Sequence, residues 1–203
     1  MAGGEPRLLV IALYVRDAVG LGPVGDPALP PLEPAVERTA EPAPAVVDGQ
    51  WTAWWRQLLA SEVAAQSAIE EAGGGPASLR VVAERHMAFG PPGFEGLREW
   101  PELRELVAHH HGDARSWCEE RSRELFHLST APDRVLLEND VVRETERRLG
   151  RRARPFRLQV SVVPVAGDRS WRVAENYVLV TRRRYVDAAA WRSDLEPIIA
   201  ELA

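Results

Sequence analysis

Residues 156–182 read FRLQVSVVPVAGDRSWRVAENYVLVTR, and they decide the fold class. Phe156, Leu158, Val160 and Val162 alternate with Arg157, Gln159 and Ser161, which is the period of a strand with one buried face. Gly167-Asp168-Arg169-Ser170 reads as a turn. Residues 171–182 return as a second strand, wholly apolar from Tyr177 to Val180. The pattern predicts a β-hairpin of 156–165 with 171–182. Pro164 has no amide to give a ladder, so 156–165 is placed at a sheet edge. Residues 7–15, RLLVIALYV, are short, continuous and partly β-branched, and read as a third, buried strand.

Around these strands the period is helical. Asp48 is a good N-cap, and Trp51, Trp54, Trp55, Leu58, Leu59, Ala65 and Ile69 fall on one arc of a helix that ends at Gly73-Gly74-Gly75-Pro76. Residues 78–89 read as a short helix. Leu103, Leu106, Val107, Ala114, Trp117, Leu125 and Leu128 share a face over 101–128. A helix over 131–149 opens on Thr130-x-x-Asp133, with Pro132 in its first turn, and closes at Gly150. A last helix spans 188–202, with Trp191, Leu195, Ile198, Ile199 and Leu202 inward. The expected fold is therefore α+β: a small, mostly antiparallel sheet of about three strands packed against four or so helices. One core is expected to hold Trp55, Leu58, Leu106, Trp117, Leu137, Val160, Val178 and Trp191.

The chain divides into an N-terminal strand region, 1–19, a proline-rich arm, 20–47, and a main domain, 48–203. Pro23, Pro27, Pro30, Pro31, Pro34, Pro42 and Pro44 rule out regular helix or a central strand in the arm. A linker is the default reading. The alternative is a strap, with Leu29, Leu32, Val36, Val46 and Val47 seated in apolar grooves.

Composition narrows the function classes. A hydrophobic fraction of 45% is enough for a globular core. The single Cys118 excludes an internal disulfide and a cysteine-only zinc site. No apolar run reaches the roughly 18 residues needed to span a bilayer. Arg16-Asp17 follows the apolar run at 8–15 where a signal peptide needs small residues. The chain reads as cytoplasmic, with no membrane partner and no cofactor. There is no lysine, the codon signature of a GC-rich, bacterial-type genome, so Schiff-base chemistry and Walker-type phosphate loops are excluded.

Side-chain chemistry offers few candidates. His109, His110 and His111 point in three directions on a helix and cannot share one metal. Glu124-x-x-His127 has the spacing of di-iron bundles, but no second such pair is present. Cys118 lies two helical turns from His111, about 10 Å, and reads as a buried thiol. Glu62 and Arg121 each interrupt an apolar arc, and a buried charge needs a partner. If their helices pack face to face, Glu62, His110 and Arg121 meet in one polar cluster, the weak catalytic candidate. No metal site is expected.

Charge gives the strongest signal. Residues 143–184 hold 12 arginines against four acids, in a chain of net charge −5. In an antiparallel hairpin the end of the second strand lies beside the start of the first. That expectation joins Arg147, Arg148, Arg151, Arg152, Arg154 and Arg157 with Arg182, Arg183 and Arg184 in one binding patch. The function read from the sequence is an accessory or assembly module that binds a protein partner. Binding of nucleic acid or a phosphate ligand through the arginines ranks second, and an enzyme built on the polar cluster third. The oligomeric state is not legible.

Overall fold

The computed structural model describes residues 2–4, 6–39, 42–71, 83, 87–129 and 132–203. The glycine break at 73–76, most of the 78–89 helix, Thr130, and the side chains of Glu124 and His127 lie outside the described residues. The chain forms two compact units, Arg7–Cys118 and Met1–Pro6 with Glu119–Ala203.

The first unit opens with α1, Arg7–Ala18. This corrects the strand expected over 7–15. A continuous apolar run has no period from which to tell strand from helix. Leu8, Leu9, Ala12, Leu13 and Ala18 are good helix formers, and the run is longer than most buried strands. Leu8 through Leu13 and Val15 are all buried, as in a helix that is apolar all round. α2, Val46–Glu71, follows the expected arc and buries Trp51, Trp54, Trp55, Leu58 and Leu59. The Trp51 indole donates to the Ala12 carbonyl at 2.9 Å, tying α2 to α1. After a 3-10 turn at Glu95–Leu97 comes α3, Pro101–Ser129, within which the unit boundary falls. Gln50 of α2 accepts from the Leu103 amide and donates to Glu102, so a side chain of one helix caps the next. The hydrogen bond from Gln50 holds the Glu102 carboxyl below the usual range. Cys118 is buried with Val10, Ile11 and Ala114.

The proline segment between α1 and α2 is pinned to this unit. Leu29 and Leu32 are 0% and 2% exposed. Arg16, itself 1% exposed, donates to the carbonyls of Leu29 and Pro30 at 2.7 Å each and pairs with Asp17 at 2.7 Å. Asp17 in turn accepts from the Leu32 amide at 2.6 Å. Its N-terminal part presses on the stacked rings of Trp51 and Trp55 at Gly25, where a Cβ would stand 2.7 Å from Trp55. Three backbone groups of this segment are thus satisfied by two adjacent side chains, as the strap alternative would have it.

The second unit holds a sheet in the order β1-β2-β4-β3. Its body is β2, Gln159–Val163, β3, Ser170–Ala174, and β4, Tyr177–Thr181. The short β1, Ala2–Gly4, extends one edge. β3 and β4 are antiparallel, whereas β2 runs parallel to β4 and β1 parallel to β2. The sheet is therefore mixed, not mostly antiparallel. The hairpin spans 170–181, turning at Glu175-Asn176, and 156–165 is not its first arm. β2 is interior rather than at an edge, because Pro164 falls one residue beyond it. All five residues of β4 and four of the five in β2 are buried, which is how strands covered on both faces read. On one face of this sheet pack α4, Pro132–Leu149, and α6, Ala188–Leu202. Val141, Trp191, Leu195 and Ile199 meet Val160, Val162, Val178 and Val180 there. A short α5, Arg182–Val186, joins β4 to α6. The described residues thus hold six helices with both ends described, and further helical residues at 83 and 87–89, more than the four expected. Of the residues expected in one core, Val160, Val178 and Trp191 are buried here, with Leu137 packed against them. Trp55 and Leu58 are buried in the first unit, where Leu106 is half-buried.

Candidate functional site

The register decides where the arginines go. Val163 pairs with Thr181 and Gln159 with Tyr177. Arg182, Arg183 and Arg184 follow Thr181 at one end of β2, whereas Arg154 and Arg157 precede Gln159 at the other. Four residues of strand, about 13 Å, separate these levels. The single patch expected from an antiparallel pair is therefore two separate groups.

The 182–184 group is built into the fold. The Arg184 guanidinium grips Asp194 of α6 through two bonds, 2.9 and 2.7 Å, with Asp168 a further 3.7 Å away. Asp194 also accepts from the Ser170 hydroxyl at 2.8 Å. Burial alone would push the Asp194 carboxyl up, but the bonds from Arg184 and Ser170 more than offset it and hold the group below its usual range. The Thr181 hydroxyl caps α5 by accepting from the Arg184 amide. Elsewhere in the unit Arg172 pairs with Glu201, and Arg192 with Glu144 at 2.6 Å. These cations are neutralised inside the unit.

The 147–157 group differs. Arg147 and Arg148 occupy the last turn of α4, where a cation complements the helix dipole. Arg147 also reaches Glu144 at 3.6 Å. Gly150, at φ 66°, ends the helix in the left-handed conformation that favours glycine. Beyond it the chain is irregular until β2, yet it is held. The Ala153 amide donates to Glu146 at 2.9 Å. Arg151 donates through its guanidinium to the Ala203 carbonyl at 2.8 Å, and the Arg154 amide donates to the same oxygen at 3.1 Å. Arg148, Arg152, Arg154 and Arg157 are exposed, and their side chains meet no carboxylate among the described residues. This segment is the candidate site: a backbone held by these bonds, and four exposed arginines with no carboxylate partner among the described residues.

The catalytic candidates fare less well. Glu62 and His110, each 6% exposed, are buried on α2 and α3 of the first unit. Burial and the neighbouring His109 ring, 4.8 Å away, push the His110 imidazole below its usual pKa, while Asp113 opposes them. Arg121 belongs to the second unit, with its side chain 22% exposed, and donates to Glu120 at 3.4 Å. Among the described residues no group of three or more His, Cys, Asp and Glu could hold a metal ion. Among them, too, no helix is long and apolar enough to cross a membrane. Concavities of the first unit include the following two. One, of about 120 Å³, lies beside Arg16, Pro23, Pro31 and Arg38. The other, open and about 470 Å³, is lined by Gln57, Glu95, Arg98, Glu99 and Trp100.

No family model, curated protein or solved structure matches this chain.

Sequence reasoning missed the Arg16-Asp17 latch, because a polar pair closing an apolar run reads as a return to solvent. It also missed Glu146. A glutamate seven residues before Ala153 carries no local signal of the bond it makes.

Proposed function

We propose that this protein is an accessory or assembly module that docks an acidic protein surface through Arg148, Arg152, Arg154 and Arg157. One observation carries the reading. Arg172, Arg184 and Arg192 each have a carboxylate partner within the second unit, and these four have none among the described residues. Exposed guanidiniums are permanently charged forks suited to carboxylates, so an apposed acidic surface supplies the partners these four lack. Such a surface steers association and sets the partner's charge more than it sets raw affinity. Phosphates of nucleic acid are the second class of anion it would take.

The test is an anisotropy titration with a labelled oligoglutamate peptide and with labelled single- and double-stranded DNA and RNA, at low and physiological salt. The expected result is peptide binding that is lost on replacing all four arginines by alanine. No peptide binding at low salt, or equal binding by the four-alanine variant, refutes the reading. Nucleic-acid binding tighter than peptide binding, with a log–log salt slope near one per phosphate engaged, replaces it with the second class.

A further inference from the structure

Glu146 precedes Arg147 and Arg148 on α4 and, one and two residues away on a helix, faces neither. It accepts instead from the Ala153 amide at 2.9 Å. That amide lies between Arg152 and Arg154, two of the four arginines of the candidate site. The 150–157 stretch has no ladder or helix of its own; Phe156 anchors its far end against the core, and this bond with the two to the Ala203 carbonyl holds the part that carries Arg152 and Arg154. Without them the segment that carries Arg152 and Arg154 would have to be re-ordered when a partner binds. That ordering weakens association for each long side chain immobilised.

Building on the docking function proposed above, we infer that Glu146 is a positioning residue for this segment: it fixes the backbone that presents Arg152 and Arg154 to an acidic protein surface. Electrostatics and positioning then predict opposite signs. Removing a carboxylate from a basic segment makes it more positive, so charge alone predicts tighter binding of an anion by both Glu146→Ala and Glu146→Gln. Positioning predicts that Glu146→Ala binds more weakly, because the Ala153 amide loses its acceptor. Glu146→Gln retains an acceptor oxygen and binds at least as tightly as the wild type.

The experiment is an oligoglutamate titration of the three proteins at low salt, paired with hydrogen exchange at the Ala153 amide. The expected result is a loss of about tenfold for Glu146→Ala, with faster Ala153 exchange, and neither change for Glu146→Gln. Ala153→Pro deletes the same amide at constant charge and should weaken binding to a similar degree. It keeps the question open to measurement even where Glu146→Ala folds poorly. Wild-type binding with equal or tighter binding by Glu146→Ala and Ala153→Pro overturns the role of Glu146 and leaves the docking function standing. Absence of wild-type binding removes both.

Discussion

Replacing Arg16 by methionine should be among the most damaging single changes in the first unit. The methionine retains most of the buried stem but deletes the guanidinium. Lost with it are the bonds to the Leu29 and Pro30 carbonyls and to Asp17, all at 2.7 Å, and the cation–π contact at 5.9 Å from the Trp51 ring. A hydrogen bond to a charged group contributes about 1.5–3 kcal/mol, and leaving buried carbonyls without donors adds a further penalty. Relief of the guanidinium's own desolvation offsets part of this. The net expectation is a loss of about 3–5 kcal/mol, the range for removing one partner of a buried ion pair. In urea, followed by tryptophan fluorescence, that corresponds to a midpoint lowered by about 1.5–2.5 M at ordinary slopes. Asp17→Asn keeps an acceptor for the Leu32 amide and should cost less. A loss below about 1 kcal/mol for Arg16→Met would refute the reasoning, since a latch worth so little could not hold the proline segment in the core.

Other expectations follow from single contacts. Gly25→Ala sets a Cβ 2.7 Å from Trp55 at φ 102°, and should cost about 3 kcal/mol or more by combining backbone strain with overpacking. Gly20→Ala, at φ 75° with nothing within 4 Å, should cost only the strain, and equal midpoint shifts in thermal melts would contradict the Trp55 contact. Trp191→Ala should cost about 3–5 kcal/mol in chemical denaturation. Trp191→Phe should be far milder, because the buried indole N–H has no acceptor among the described residues; similar losses for both would place an acceptor there. Asp194 is held below its usual pKa in the folded state, so its stabilisation is present at neutral pH and is lost as the pH falls through that lowered value. Asp194→Asn should therefore flatten the acid limb of a melting-temperature profile below about pH 4, and superimposable limbs would show that Asp194 is not its source.

What was legible in the sequence follows the kind of signal each element carries. α2, α3, α4 and α6 were readable because their apolar residues recur every 3.6 positions, which only a helix can turn to one side. β2 was readable from its alternation, and β4 from four apolar residues in a row. α1 was misread because its apolar residues have no gaps, and only its leucine and alanine content and its length favoured helix. β1, built on Ala2-Gly3-Gly4, carries no strand signal at all. The parallel pairing of β2 with β4 is set by which neighbour the chain returns to, a long-range choice that no local pattern encodes. The Glu175-Asn176 turn was the one local hint that 171–182 is two strands. The same division runs through the site. Arg147 to Arg157 are contiguous, so their grouping did not depend on topology. Arg182 to Arg184 were assigned through the pairing, and moved when the pairing did. The burial of Glu62 and His110 was visible on a helical wheel because the residues around them are apolar.

The most direct test of the docking proposal is the titration of oligoglutamate against the wild type and the variant with Arg148, Arg152, Arg154 and Arg157 replaced by alanine. The four side chains make no ion pair among the described residues, so the variant should melt at the wild-type temperature and lose peptide binding at low salt. Unchanged binding by a folded variant would contradict the proposal. So would a collapse of its melting temperature, which would show that these arginines hold the fold together instead of facing a partner.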